Sequence, residues 1–325
     1  MLARHPLSHA PMNPNFVLLL GDDSESLRQR AREIAPNCEI VAPDDENALA
    51  RAHVIYEGVK PDDIARAENL RWLQLVSAGV NNWPVEKLAE RGIQITTTSG
   101  IHAGPITEQM FGMLLMNTRA LDIALREQPK HDWRGTNYNK RVQRIGDKTL
   151  GVLGVGAIGA HAAHVGRAFG MRVIGLRRSG EPVDDVEKMF TPDERLDFFA
   201  QSDVVMNTLP LTDDTHGFMS EAEFDALPDD AIVINTGRGE TIKTDALMKW
   251  LQSGRARAAL LDVTDPEPLP SDHQLWDMPG VFITPHYSGN HPDYGARADE
   301  IFLNNLRRFA SDEPLHNVVD AQAGY

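Results

Sequence analysis

The chain has 325 residues, 42% hydrophobic and 24% charged, with 47 Asp and Glu against 32 Lys and Arg for a net charge of −15. This is the composition of an ordinary soluble protein with enough chain for two domains, each burying a core. The acidic balance argues against binding along a nucleic-acid backbone, which needs clustered cations. The single cysteine, Cys38, excludes an intrachain disulfide and any cysteine metal cluster.

Residues 1–15 hold three prolines and no periodicity, and read as a loose tail. The early apolar run Phe16–Leu20 is too short for a secretion signal or a membrane span, so a soluble, cytoplasmic protein is expected. Short apolar runs at 16–20, 38–42, 53–56, 72–76 and 93–97 alternate with helix-favouring stretches such as Ser24–Ile34 and Asp62–Ala67. That βα alternation predicts a parallel sheet covered by helices. Pro105 suits a first helical turn. Met110, Met113, Leu114, Asn117 and Leu121 then recur at helical spacing, so one helix of more than twenty residues, about 30 Å long, is expected to reach about Glu127 and to bridge two domains. Residues 129–147 are polar and read as an arm.

A second βα series is cleaner. Strands are expected at 149–154, 171–176, 203–208, 231–235, 258–263 and 281–284, with helices at 157–169, 193–201, 220–227 and 244–253. Ala298, Ile301, Phe302, Asn305, Leu306 and Phe309 share one face of a last helix, expected to return to the first domain. The expected fold is α/β, with two doubly wound parallel sheets and a cleft between them. A flavodoxin-like substrate domain spans 1–117 and 290–325, and a Rossmann dinucleotide domain spans 118–289.

Gly154, Gly156 and Gly159 form a GxGxxG pattern that follows the strand at 149–153 and opens the helix at 157–169. In that context Gly154 permits the tight turn, Gly156 lets backbone approach a pyrophosphate, and Gly159 lets the helix pack on the strand. The N–H groups of Ala157 and Ile158 at the helix start face the phosphate charge. The next strand ends in Arg177, Arg178 and Ser179. A carboxylate usually stands there to bind the ribose 2′-hydroxyl of NAD; two arginines instead match the 2′-phosphate of NADP. The expectation is NADPH in preference to NADH. No metal is expected.

Three later motifs sit at strand ends, where ligands bind in such sheets. They are Asn235-Thr236-Gly237-Arg238-Gly239, then Asp262-Val263 through Glu267-Pro268-Leu269-Pro270, then Thr284-Pro285-His286. With the glycine loop, Asn207-Thr208-Leu209-Pro210 through Thr215, and the ending Asn317-Val318-Val319-Asp320, the order resembles the D-isomer-specific 2-hydroxyacid dehydrogenases over roughly residues 50–320.

The resemblance implies roles. Arg238 would bind the carboxylate of a 2-oxo acid, His286 would be the general acid/base, and Glu267 its acidic partner. Asp262 would hold the nicotinamide carboxamide, with Thr107, Thr236 and Gly237 near the same ring. Thr208, Leu209, Pro210 and Thr215 would flank the adenosine and pyrophosphate. Ser77, Ala78 and Gly79 would present backbone N–H groups to the substrate carboxylate, and Trp133 would close on it. Glu108 is expected to be a buried structural acid, and His102, His161, His164, His216 and His273 to be structural. Domain closure would exclude water, and a homodimer through the nucleotide domain is expected.

The implied reaction reduces glyoxylate, hydroxypyruvate or a similar small 2-oxo acid to a D-2-hydroxy acid. The competing readings are a dinucleotide-sensing binding protein like the family's corepressor members, and an NADH-preferring phosphoglycerate-type dehydrogenase. The chain has no long extension after the last helix, which counts against the latter.

Overall fold

The computed structural model describes residues 15–21, 24–80, 82–133 and 141–321. The expected tail lies outside the described residues except for Asn15, and so do residues 134–140 of the expected arm. The chain divides into two compact units, one made of the residues through Ile101 and those from Pro292 onward, the other of His102–His291.

In the first unit five parallel strands run in the order β2-β1-β3-β4-β5, with β1 Val17–Leu20, β2 Glu39–Val41, β3 Val54–Tyr56, β4 Trp72–Gln74 and β5 Gln94–Thr96. This is the flavodoxin-like order. The central strands β1 and β3 are apolar without alternation because helices cover both faces. One face is covered by the last helix, Tyr294–Ala310, whose Phe302, Leu306 and Phe309 pack with Phe16, Tyr56 and Trp72. The Phe302 ring stacks on Tyr56 at 4.2 Å between centroids.

In the second unit seven parallel strands run β12-β11-β10-β9-β6-β7-β8. They are β6 Thr149–Leu153, β7 Arg172–Leu176, β8 Lys188–Phe190, β9 Val204–Asn207, β10 Ala231–Asn235, β11 Ala256–Leu261 and β12 Val281–Ile283. The order reverses at β6, which lies between β7 and β9, and ligands bind at the carboxyl ends of strands beside such a switch point. The edge strand β8 is one more than the six expected. It is only three residues long and begins on an exposed lysine, too weak a pattern to read from sequence.

The expected long helix is two helices. Ala103–Thr118 stops at Ala120, whose φ of 55° is left-handed, and Leu121–Glu127 starts anew. The break is tied down by neighbours: Thr118 Oγ1 donates to Leu114 O, and Gln143 N donates to Thr118 O at 2.8 Å. The first of these helices groups with the second unit, whereas the sequence boundary fell after residue 117. Its Met110, Phe111 and Leu114 pack with Leu150, Val152 and Val173 of the nucleotide sheet. Glu108 is exposed rather than buried, because the buried positions 106, 107, 110, 111, 113, 114, 117 and 118 follow the other face. No helix among the described residues is long and apolar enough to cross a membrane.

Candidate active site

The glycine loop lies at the switch point, between the end of β6 and the helix Ala157–Ala168. Gly154 has φ +94°, which a side chain would strain. A Cβ at Gly159 would stand 2.5 Å from Gly154 O and 2.9 Å from Val152 Cγ1, so only glycine lets helix and strand meet. A Cβ at Gly156 would meet nothing within 4 Å. The protein's own packing does not demand glycine there, and the open space above the loop suits a ligand's phosphates. The first helical bond is Ala160 N to Gly156 O, so the N–H groups of Ala157 and Ile158 have no partner within the helix. A dinucleotide pyrophosphate fits this cradle.

Arg177, Arg178 and Ser179 follow β7 directly, Arg177 half-buried and the other two exposed. Two neighbouring acids are engaged elsewhere, Asp185 by His164 Nδ1 at 2.8 Å and Glu187 by Arg172 Nε at 2.8 Å. Across the switch point, Thr208 Oγ1 donates to Gly154 O at 2.7 Å, locking the two strand ends together. Thr215 Oγ1 donates to Pro210 O at 2.6 Å and accepts from Thr212 N at 2.8 Å, so that hydroxyl shapes its own loop. Leu209 is buried.

The loop after β10 is built around Asn235, a bracing residue that sequence reasoning left unassigned. Its Oδ1 accepts from Gly237 N at 3.1 Å and its Nδ2 donates to Arg238 O at 3.1 Å. Gly237 lies against Leu209, where a Cβ would meet Leu209 O at 2.6 Å. Gly239 lies against the next loop, where a Cβ would stand 1.9 Å from Thr264 O. The backbone is thus pinned on both sides of Arg238. Its guanidinium donates one hydrogen bond, Nη1 to Gly237 O at 2.8 Å, and makes no ion pair among the described residues. The remaining donors suit a carboxylate. The Gly239→Ala variant should lose about 1–3 kcal/mol through overpacking, visible as a lowered Tm; unchanged thermal unfolding would contradict this packing.

Asp262, 1% exposed at the end of β11, organises the loop after β12. Oδ1 accepts from Thr284 Oγ1 at 2.5 Å and Tyr287 N at 3.2 Å, and Oδ2 accepts from Ser288 N at 3.1 Å. His286 N donates to the Asp262 backbone carbonyl at 2.9 Å. These bonds hold His286 in a left-handed conformation, φ 50°, uncommon outside glycine. Its Nδ1 lies 2.5 Å from Glu267 Oε1, with both side chains partly exposed. Thr284 and Ser288, unassigned from sequence, are therefore parts of the same scaffold.

Thr107 Oγ1 and Thr236 Oγ1 are buried without a hydrogen-bond partner among the described residues. A buried hydroxyl left unpaired is costly, and a polar ligand group would satisfy it. Ser77, Ala78 and Gly79 belong to the first unit, and Ser77 Oγ donates to Gly79 O at 2.8 Å. Trp133 is 98% exposed. Of the histidines expected to be structural, His273 accepts from Leu275 N at 3.2 Å, which starts a short helical turn.

The family model described as D-isomer specific 2-hydroxyacid dehydrogenase, NAD binding domain, matches residues 111–288. A glyoxylate reductase from Aeropyrum pernix is 30% identical over 294 residues, covering 88% of this chain and 87% of that protein. A D-isomer specific 2-hydroxyacid dehydrogenase family protein from Aeromonas salmonicida superimposes with a TM-score of 0.79 at 31% identity, covering 94% and 99% of the two chains. The NADPH-dependent glyoxylate/hydroxypyruvate reductase of Sinorhizobium meliloti, solved with NADP and sulfate, superimposes with a TM-score of 0.76 at 27% identity, covering 96% and 99%.

With half of its length matched by the family model and its two parallel sheets in place, the chain belongs to the D-isomer-specific 2-hydroxyacid dehydrogenase family. It is an NAD(P)-dependent oxidoreductase.

Proposed function

We propose that the protein reduces a small 2-oxo acid of the glyoxylate or hydroxypyruvate kind to a D-2-hydroxy acid, drawing on NADPH in preference to NADH. The observation that carries this reading is the His286–Glu267 pair at 2.5 Å, in the same unit as the lone guanidinium of Arg238 and the glycine loop. Glyoxylate reductases among the similar proteins support the substrate class.

When bound, the reduced nicotinamide supplies the hydride that goes to the carbonyl carbon. The chain's own residues do the rest. Arg238 holds the carboxylate in a fork and draws electron density from the carbonyl. Glu267 takes the Nδ1 side of His286, orients the ring and stabilises its protonated form. Nε2 is left as the atom that gives a proton to the carbonyl oxygen. Asp262 keeps the loop that carries His286 in place, and the Thr107 and Thr236 hydroxyls offer hydrogen bonds near the nicotinamide.

Arg177 and Arg178, at the end of β7, are assigned to the 2′-phosphate of NADP. The cofactors of related structures agree with this, since the Sinorhizobium enzyme and a Xanthobacter autotrophicus relative were solved with NADP or NADPH. The double variant Arg177→Asp, Arg178→Ala should weaken NADPH use by about a hundredfold or more while sparing NADH, since two charge-assisted bonds at about 1.5–3 kcal/mol each are lost. Side-by-side kcat/KM for the two cofactors checks it, and an unchanged ratio would overturn the assignment.

A homodimer through the segment 121–133 belongs to the same proposal. Leu121, Leu125 and Trp133 are 50%, 64% and 98% exposed, and the helix Leu121–Glu127 buries no residue. Exposed apolar groups that form one patch mark association surfaces. Sedimentation velocity at micromolar concentration should show a dimer, and the Leu121→Asp, Leu125→Asp variant a monomer. A monomeric parent protein would contradict it.

A further inference from the structure

The Arg238 carbonyl is gripped from two sides. It accepts from Asn235 Nδ2 at 3.1 Å and from Thr241 Oγ1 at 2.6 Å. The Thr241 hydroxyl in turn accepts from Asn207 Nδ2 at 2.7 Å. Asn207, the last residue of β9, and Thr241, in the short turn Gly239–Thr241, are both 0% exposed. The directions of these bonds follow from their partners. Asn207 Oδ1 accepts from Leu209 N at 3.0 Å, so its amide nitrogen faces Thr241. The Thr241 hydroxyl, accepting there, has its one proton left for Arg238 O. The same Leu209 N–H lies between the cofactor loop and the arginine loop: a Cβ at Gly154 or at Gly237 would stand 3.0 Å from its nitrogen. The Arg238 guanidinium bonds back to Gly237 O at 2.8 Å, so its aim follows the backbone on which it stands. An apolar pair at 207 and 241 could fill this buried space, but it would leave the Arg238 carbonyl without its shorter side-chain bond.

We propose that Asn207 and Thr241 are positioning residues for the substrate-binding arginine. Their buried relay holds the Arg238 backbone in place against the glycine loop and so aims the guanidinium at the substrate carboxylate. This rests on the carboxylate-binding role given to Arg238 above. Fully buried polar groups serve such a purpose well, because each satisfied bond fixes a direction as well as a distance.

Three variants divide the relay. Thr241→Val keeps the shape and removes the hydroxyl. Asn207→Asp keeps the bond from Leu209 N, but its second carboxylate oxygen only accepts, so it draws the Thr241 proton away from Arg238 O. Thr241→Ser keeps the hydroxyl. In the first two, kcat/KM for glyoxylate and hydroxypyruvate should fall about tenfold, and in Thr241→Ser it should stay within about threefold. The KM for the cofactor should stay within about threefold in all three, since the Leu209 bond is untouched. The deciding readout is a double-mutant cycle. In an Arg238→Ala background, Thr241→Val should change kcat/KM by less than about twofold, because the side chain through which it acts is gone. A merely structural pair would cost the same tenfold in both backgrounds and overturn the proposal, as would an equal loss in Thr241→Ser or no loss in Thr241→Val. Should Thr241→Val fail to fold, Asn207→Asp, nearly identical in shape to the parent, enters the same cycle. Should no 2-oxo acid turn over, the reductase reading fails by itself. The relay is then read from calorimetric binding of oxalate in the presence of NADP. Binding that Thr241→Val weakens about tenfold and Thr241→Ser retains upholds it; equal binding to the three proteins, or binding to none, overturns it.

Discussion

Replacing His286 with Ala should lower kcat by a factor on the order of a thousand, about 4 kcal/mol of transition-state stabilisation, while cofactor affinity stays within a few-fold. The expectation follows from the geometry. His286 is held by its backbone bond to Asp262 O and by the loop bonds of Thr284, Tyr287 and Ser288, while among the described residues its ring hydrogen-bonds only to Glu267. Removing the ring disturbs little of that scaffold, so the loss is one of proton transfer. Glu267→Gln should fall between the two proteins, because an amide still orients Nδ1 but does not balance a positive ring. Near-normal turnover of His286→Ala in initial-rate assays would remove this residue from the mechanism.

Replacing Arg238 with Ala should be at least as damaging, lowering kcat/KM by about a thousandfold or more. Here the substrate's carboxylate loses its bidentate partner. Arg238→Lys should recover only part of the loss, since an ammonium restores the charge but not the fork. Because Asn235, Gly237 and Gly239 fix the backbone independently of the side chain, the variant should unfold at nearly the parent temperature. A rise in KM alone, with kcat intact, would mean that Arg238 binds the ground state without acting on the carbonyl.

The second unit was largely legible in the sequence because strands of a parallel sheet covered on both faces are continuous apolar runs. Ala231–Asn235 and Val204–Asn207 are buried at every position, and both were bounded to within about a residue. The glycine loop was legible for a different reason: its glycines answer to separate steric demands that fix their spacing. What escaped depended on contacts distant in sequence. The helix break at Ala120 falls on a strong helix former and is imposed by the neighbouring chain at Gln143. The exposure of Glu108 was implicit in the helical period of Met110 and Leu114, and was missed by reading the residue alone. Asp262 matched the family pattern, but only coordinates show both its oxygens bound to the loop of His286.

We hold this constellation to be a reductase site served by NADPH. The most direct measurement is the initial rate of NADPH and NADH oxidation, side by side, with glyoxylate and with hydroxypyruvate. Turnover that is faster with NADPH, and that vanishes in His286→Ala, is the predicted result. A protein that binds NADPH yet oxidises neither cofactor with either acid would contradict the claim; turnover that favours NADH would leave the site standing and overturn the roles of Arg177 and Arg178.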